Sequence, residues 1–155
     1  MLITSSRKPS VNTRTLCKYL ASFFNCEYLT RGKMGLADVM SYSDDTHVVV
    51  VGDYHGSPGS LMFYDEEVAE CLSIRMSMFY PDGYKFSNLK SMEPFLMGNG
   101  ELGNMLSLYF GIPQDECDGM AKCIRVEDDR MEFLYSGKLL FRLNVKSYRV
   151  SEAAD

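Results

Sequence analysis

Arg7, Lys8, Arg14 and Lys18 fall within "TSSRKPSVNTRTLCKYL", a stretch with no acidic residue, and Arg31 and Lys33 follow in "RGKMG". Residues 1–33 carry a net +5, against -10 on the remainder of a chain whose total is -5. Such a split places an anion-binding face on an acidic body. The chemistry it suits is phosphate capture. A helix start exposes unpaired N–H groups and a partial positive charge, and flanking Arg or Lys adds charge-assisted hydrogen bonds. Cations at a helix start cost about 0.3–1 kcal/mol each, and an outside anion seated there offsets that cost. Ser5, Ser6 and Ser10 add hydroxyl donors, and Gly32 lets backbone approach a ligand closely.

These residues need particular elements to bring them together. Leu2 to Ser5 reads as a buried first strand. Pro9 punctuates, Ser10 can cap, and Val11 to Phe24 is helical. Leu16, Cys17, Leu20, Phe23 and Phe24 share one face of that helix, and Arg14 and Lys18 point roughly opposite. Glu27 to Thr30 completes a strand–helix–strand unit. If its strands are parallel, their carboxyl ends lie at one sheet edge. The "SSRKPS" and "RGKMG" loops then sit side by side, and Arg7, Lys8, Arg31 and Lys33 converge.

Further along, Gly35 to Ser43 predicts a short helix, and His47 to Tyr54, with "VVVV", a central strand. "HGSPGS" reads as a turn and "LMFYD" as the returning strand. Cys71 to Tyr80 alternates as a strand, and "YPDGYKFSN" (80–88) marks a boundary between halves. Glu101 to Phe110 reads as a helix, followed by a meander over Lys122–Val126, Met131–Tyr135 and Lys138–Val145. In the last strand Leu139, Phe141, Leu143 and Val145 are expected on one face. Lys138, Arg142 and Lys146 on the other would form a second basic strip.

Other chemistry is set aside. No run of 18 apolar residues exists, so no membrane span is expected. The start lacks an export signal, so the expected compartment is the cytoplasm. Cys17, Cys26, Cys71, Cys117 and Cys123 are scattered without C-x-x-C, which predicts reduced thiols and no metal. "GNGELG" spells G-x-G-x-x-G at Gly98, Gly100 and Gly103, with Asp118 at the fingerprint distance. The preceding "KSMEPFLM" makes a poor parallel strand, so these read as turn glycines. Asp53 and His55 lack a nucleophile nearby, and Glu127, Asp128 and Asp129 read as solvated turn acids. With no acid–base–nucleophile set, neither a catalytic residue nor a cofactor is expected. The anion stays open among a nucleotide, a phosphorylated metabolite and an RNA backbone; the Walker spacing is absent.

The residues "ITSSRKPSVNTRTLCKYLA" and "YLTRGKMGLADV" resemble the opening of Brix-domain proteins, in particular short archaeal ribosome-biogenesis members. The close "LLFRLNVKSYRV" is similar to that family's final strand, through Lys146, Tyr148 and Val150. The resemblance implies a single α/β Brix domain over residues 1–155, with halves of about 1–80 and 89–150. Those halves would be related by a pseudo-twofold, each resembling an anticodon-binding domain with mixed sheets and packed helices. It also implies a monomeric, non-catalytic factor that binds rRNA or other structured RNA, and ribosome-assembly proteins. Two rivals remain: a protein-interaction module taking a partner peptide, and a small phosphometabolite-binding enzyme.

Overall fold

Residues 2–5, "LITS", are buried along their whole length: strands flank both edges, and apolar clusters cover Ile3 on one face and Leu2 on the other. The computed structural model describes residues 1–42, 47–65, 70–81, 92–116 and 122–152. The elements run β1 (Leu2–Ser5), α1 (Val11–Phe24), β2 (Glu27–Tyr28), α2 (Leu36–Ser41), β3 (His47–Tyr54), β4 (Ser57–Asp65) and β5 (Glu70–Phe79). They continue with β6 (Phe95–Met97), α3 (Glu101–Phe110), β7 (Lys122–Glu127), β8 (Arg130–Tyr135) and β9 (Lys138–Glu152). All nine strands among the described residues form one mixed sheet, ordered β2-β1-β3-β4-β5-β9-β8-β7-β6. The fold is therefore α/β. β1 lies parallel to β2 and β3, and β6 parallel to β7. The remaining neighbours, including the central pair β5–β9, are antiparallel.

One apolar core lies between the sheet and the helices α1 and α3. Its aromatic rings run through both ends of the chain. Phe24 stacks on Phe110 at 4.6 Å, Phe23 meets Phe133 edge-on at 5.2 Å, and Phe133 stacks on Phe141 at 4.3 Å. A smaller cluster on the opposite face joins Leu2, Val48 and Val50 to Val39 of α2. α1 buries the stripe its spacing predicts, with Thr13 and Ala21 added.

Several expectations need correcting. The turn is two residues, not six: His55 and Gly56 have φ of 49° and 81°, the paired positive values of a tight hairpin, and β4 starts at Ser57. Phe95–Met97 is a parallel strand despite Pro94 and the lack of β-branching. Its fully buried Leu96 packs into the core, and tertiary contact outweighs propensity. The glycines of "GNGELG" thus do follow a parallel strand and open a helix. β9 does not alternate cleanly. Phe133 pairs with Phe141 but Leu134 with Leu139, so Leu140 is an extra residue, and it rather than Leu139 is buried. Cys17, Cys26 and Cys71 are free thiols, as expected, but Cys123 is disulfide-bonded. Asp118 and the 82–88 part of the expected boundary lie outside the described residues.

Candidate nucleic-acid interface

The parallel pairing of β1 with β2 brings the two basic loops together at one sheet edge. Leu29 N–H extends the pairing by donating to Ile3 O at 2.8 Å. Arg31 then ties the loops. Its Nη1 donates to Ser5 O at 3.0 Å and its Nε to Met34 O at 2.7 Å. Arg7 reaches across from the other side. Its Nη2 lies 3.8 Å from where a β-carbon on Gly35 would stand. Lys8 turns the first loop through a left-handed φ of 53°, and Gly32 turns the second at 56° with open space around it.

Arg7, Lys8, Arg14, Lys18 and Lys33 are all exposed. None forms an ion pair with a carboxylate among the described residues. Arg14 and Lys18 stand one turn apart on the outer side of α1. Arg31 is only half-buried, but its guanidinium is engaged by backbone carbonyls. It positions the loops, and the five exposed cations supply the free charge.

The helix start itself is not open to an outside anion. Asp53, from the end of β3, stands there. Its Oδ1 accepts from Ser10 Oγ at 2.6 Å, from Ser10 N–H at 3.2 Å, and from the Thr13 hydroxyl. Ser10 Oγ in turn accepts the Thr13 N–H at 3.2 Å, the expected cap. Ser6 Oγ accepts the Asp53 N–H at 3.2 Å, and Ser5 Oγ donates to Ser6 O at 2.8 Å. Ser5 and Ser10 therefore spend their hydroxyl protons shaping the loop, and Ser6 Oγ serves it as an acceptor. The protein's own carboxylate offsets the dipole that the sequence left without an acid. Nothing in "GDYHG" announces its partners, because the contact spans about 40 residues; the local signal is strand alternation, which puts Asp53 on the α1-facing side with Val49 and Val51.

Hydrogen bonds from Ser10 and Thr13 hold the Asp53 carboxyl below its ordinary value. A depressed carboxyl stabilises the fold above the unfolded-state pKa, about 3.9, and that stability is lost as pH falls through the lower folded value. Asp53→Ala is expected to cost about 1–2 kcal/mol at pH 7. The gap from wild type should narrow below pH ~4, where the unfolded-state carboxyl begins to protonate, and go on narrowing until the folded carboxyl does so too. Urea unfolding at pH 7 and pH 3 checks both statements.

Asp128 plays a similar part at α3, accepting the Leu102 N–H at 3.4 Å, and so is more than a solvated turn acid. A carboxylate at that helix start opposes a dinucleotide pyrophosphate, so the argument against that ligand is one of charge rather than strand propensity. The second basic strip is broken up by irregular pairing. Lys138 is exposed at the start of β9. Arg142 lies over the Phe79 ring at 4.7 Å and donates to Asn144 Oδ1 at 3.1 Å. Lys146 is the extra residue where Arg75 pairs with Ser147 and Met76 with Val145. Among the described residues no group of His, Cys, Asp and Glu is placed to hold a metal, and no helix is long and apolar enough to cross a membrane.

Fold and site together define an α/β protein with an exposed cationic edge formed by two loops of a βαβ unit. No family model matches the chain. It is 62% identical to a probable Brix domain-containing ribosomal biogenesis protein of Methanococcoides burtonii, with 96% of each chain covered. A protein of the same description from Methanosarcina barkeri is 39% identical, over 96% of this chain and 99% of its own. Among solved structures, the chain is similar to Mil, an archaeal Imp4-like protein, with a TM-score of 0.80 and 29% identity over 97% of this chain and 99% of that one. A probable ribosomal biogenesis protein from Aeropyrum pernix K1 shares the fold at a TM-score of 0.67 and 21% identity, over 99% and 96% of the two chains. The chain belongs to the Brix domain-containing ribosomal biogenesis proteins.

Proposed function

We propose that this chain is a non-catalytic RNA-binding factor that acts in rRNA processing or ribosomal-subunit assembly, as a cytoplasmic monomer working with assembly proteins. The observation that carries the reading is the set of exposed cations Arg7, Lys8, Arg14, Lys18 and Lys33, free of carboxylate partners among the described residues, around two loops that Arg31 holds together. A polyanion can bridge cations spaced over such an edge, and phosphate contacts of this kind supply affinity without sequence readout. Gly32 leaves its backbone approachable, while Ser5, Ser6 and Ser10 support the loop from within.

We also read residues 1–155 as one domain of two similar halves related by a pseudo-twofold, each like an anticodon-binding domain. Three features support it. Each half pairs its first strand in parallel and then continues antiparallel. The strand order runs inward from both edges to the antiparallel β5–β9 pair. An aspartate from a β-hairpin, Asp53 or Asp128, meets the helix start in each half.

Titration of structured rRNA fragments at several salt concentrations tests the function. Arg7→Ala and Lys33→Ala should each weaken binding to all fragments alike and lower the salt slope by about one. Salt-independent binding, or affinity untouched by both changes, overturns the reading.

A further inference from the structure

The sheet face opposite α1 and α3 carries a second arrangement that the N-terminal loops do not use. Gly52 pairs with Ser60, Ser60 with Arg75, and Arg75 with Ser147, one lateral row across β3, β4, β5 and β9. The next row joins Ser73 to Arg149. The pleat sends Leu72, Ile74 and Met76 into the helix-covered core, so Ser73 and Arg75 face the other way. The floor is low, built of glycine and serine. A β-carbon on Gly52 would lie 2.1 Å from Ser60 Oγ, so a larger residue there would displace the Ser60 hydroxyl.

Arg75, Lys146 and Arg149 rise from this floor. All three are exposed and none pairs with a carboxylate among the described residues. A concavity lined by Asp53, Tyr54, Ser60, Arg75 and Lys146 adjoins one lined by Ser73, Arg75, Ser147 and Arg149, with Arg75 common to both. Asp53 is the one acid lining them among the described residues, and its Oδ1 is engaged by Ser10 and Thr13. At the rim Tyr54 is 60% exposed, a large ring left in solvent. Gly59 beside it leaves room for the side chain, since a β-carbon there would lie 2.5 Å from Tyr54 Cβ, and the His55 ring meets Tyr54 edge-on at 4.2 Å.

We propose that this face is a second RNA subsite, for a single-stranded segment, with a base stacked on Tyr54 and phosphates held by Arg75, Lys146 and Arg149. The proposal rests on the RNA-binding reading above and extends its footprint. The step from β1 to β9 crosses four strand spacings, about 19 Å, and Asp53 and Tyr54 lie between the two cation groups. Charge selects the occupant: three unpaired cations over hydroxyls suit a polyanion, whereas a protein partner's contact core is depleted in charge. An exposed ring suits an unstacked base, which a duplex does not present.

The test uses the full chain, a labelled oligouridine and an RNA duplex, each titrated at several salt concentrations. Tyr54→Ala should weaken oligouridine binding about tenfold, with the salt slope kept and duplex binding little changed. Tyr54→Phe should bind as wild type. Arg75→Ala with Lys146→Ala should lower the oligouridine salt slope by about two. Oligouridine binding unchanged in both Tyr54→Ala and the double variant overturns the subsite. If Arg7→Ala and Lys33→Ala still weaken RNA binding, only this inference falls. If they too change nothing, the RNA-binding reading falls with it.

Discussion

Lys122→Ala is expected to lower the unfolding free energy by about 3–4 kcal/mol. Lys122 is the first residue of β7 and is fully buried. Its Nζ donates to Phe23 O at 2.8 Å and to Ser22 O at 3.4 Å, in the last turn of α1. Those carbonyls carry the negative end of the helix dipole, and the ammonium also lies 5.8 Å from the Phe23 ring centroid. Truncation removes the packed stem and leaves helix-end carbonyls facing a void. Lys122→Met keeps most of the volume and loses only the donors, so a smaller loss of about 1–3 kcal/mol is expected. The pH dependence separates the two contributions. Burial holds the Lys122 pKa below its ordinary value. The unfolded chain then binds more protons between the folded pKa and the ordinary value near 10.4. Wild-type stability relative to Lys122→Met should therefore rise with pH across that window. Urea unfolding of the three proteins from pH 7 to 10 reads out all of this. Equal stability of wild type and Lys122→Ala would show that the contact contributes nothing.

Gly98→Ala is the second large effect, expected at about 3 kcal/mol or more. Gly98 has φ of 138°, and a β-carbon there would lie 2.3 Å from Val126 O, a backbone atom of the neighbouring strand β7. The clash cannot be relieved by a side-chain rotation, so β6 must move away from β7. α3 feels the shift as well, because Gly98 O stands 2.8 Å from the place of a Gly103 β-carbon and accepts Gln114 Nε2 at 2.8 Å. Gly32 gives the contrast. It also has positive φ but nothing within 4 Å, so Gly32→Ala should cost only about 1 kcal/mol. Thermal unfolding of both variants checks the difference. Similar losses at the two sites would mean that backbone conformation, not crowding, governs Gly98.

The first helix was legible because its pattern is local. Leu16, Leu20, Phe23 and Phe24 repeat at helical spacing, and Ser10 caps the start as its position predicts. Convergence of the two basic loops was legible for a topological reason, since parallel strands of a βαβ unit end at one edge. The role of Arg31 was not. A guanidinium that braces two carbonyls and one that grips a phosphate look the same in sequence. Asp53 was missed because its partners Ser10 and Thr13 are distant in the chain, although alternation with Val49 and Val51 places it on the α1 side. The patch at Arg75, Lys146 and Arg149 was missed because it needs lateral pairing of β5 with β9, and each strand alone shows only scattered cations.

By itself the sequence determined the helix faces, the strand-rich α/β character and the concentration of positive charge in residues 1–33. These follow from near-neighbour periodicity and composition. Only the tertiary structure decided which cations stay free, which carboxylate meets each helix start, and which side chains share the open sheet face. Those outcomes depend on strand order and on one-residue bulges, and a single inserted residue sends a side chain to the opposite face.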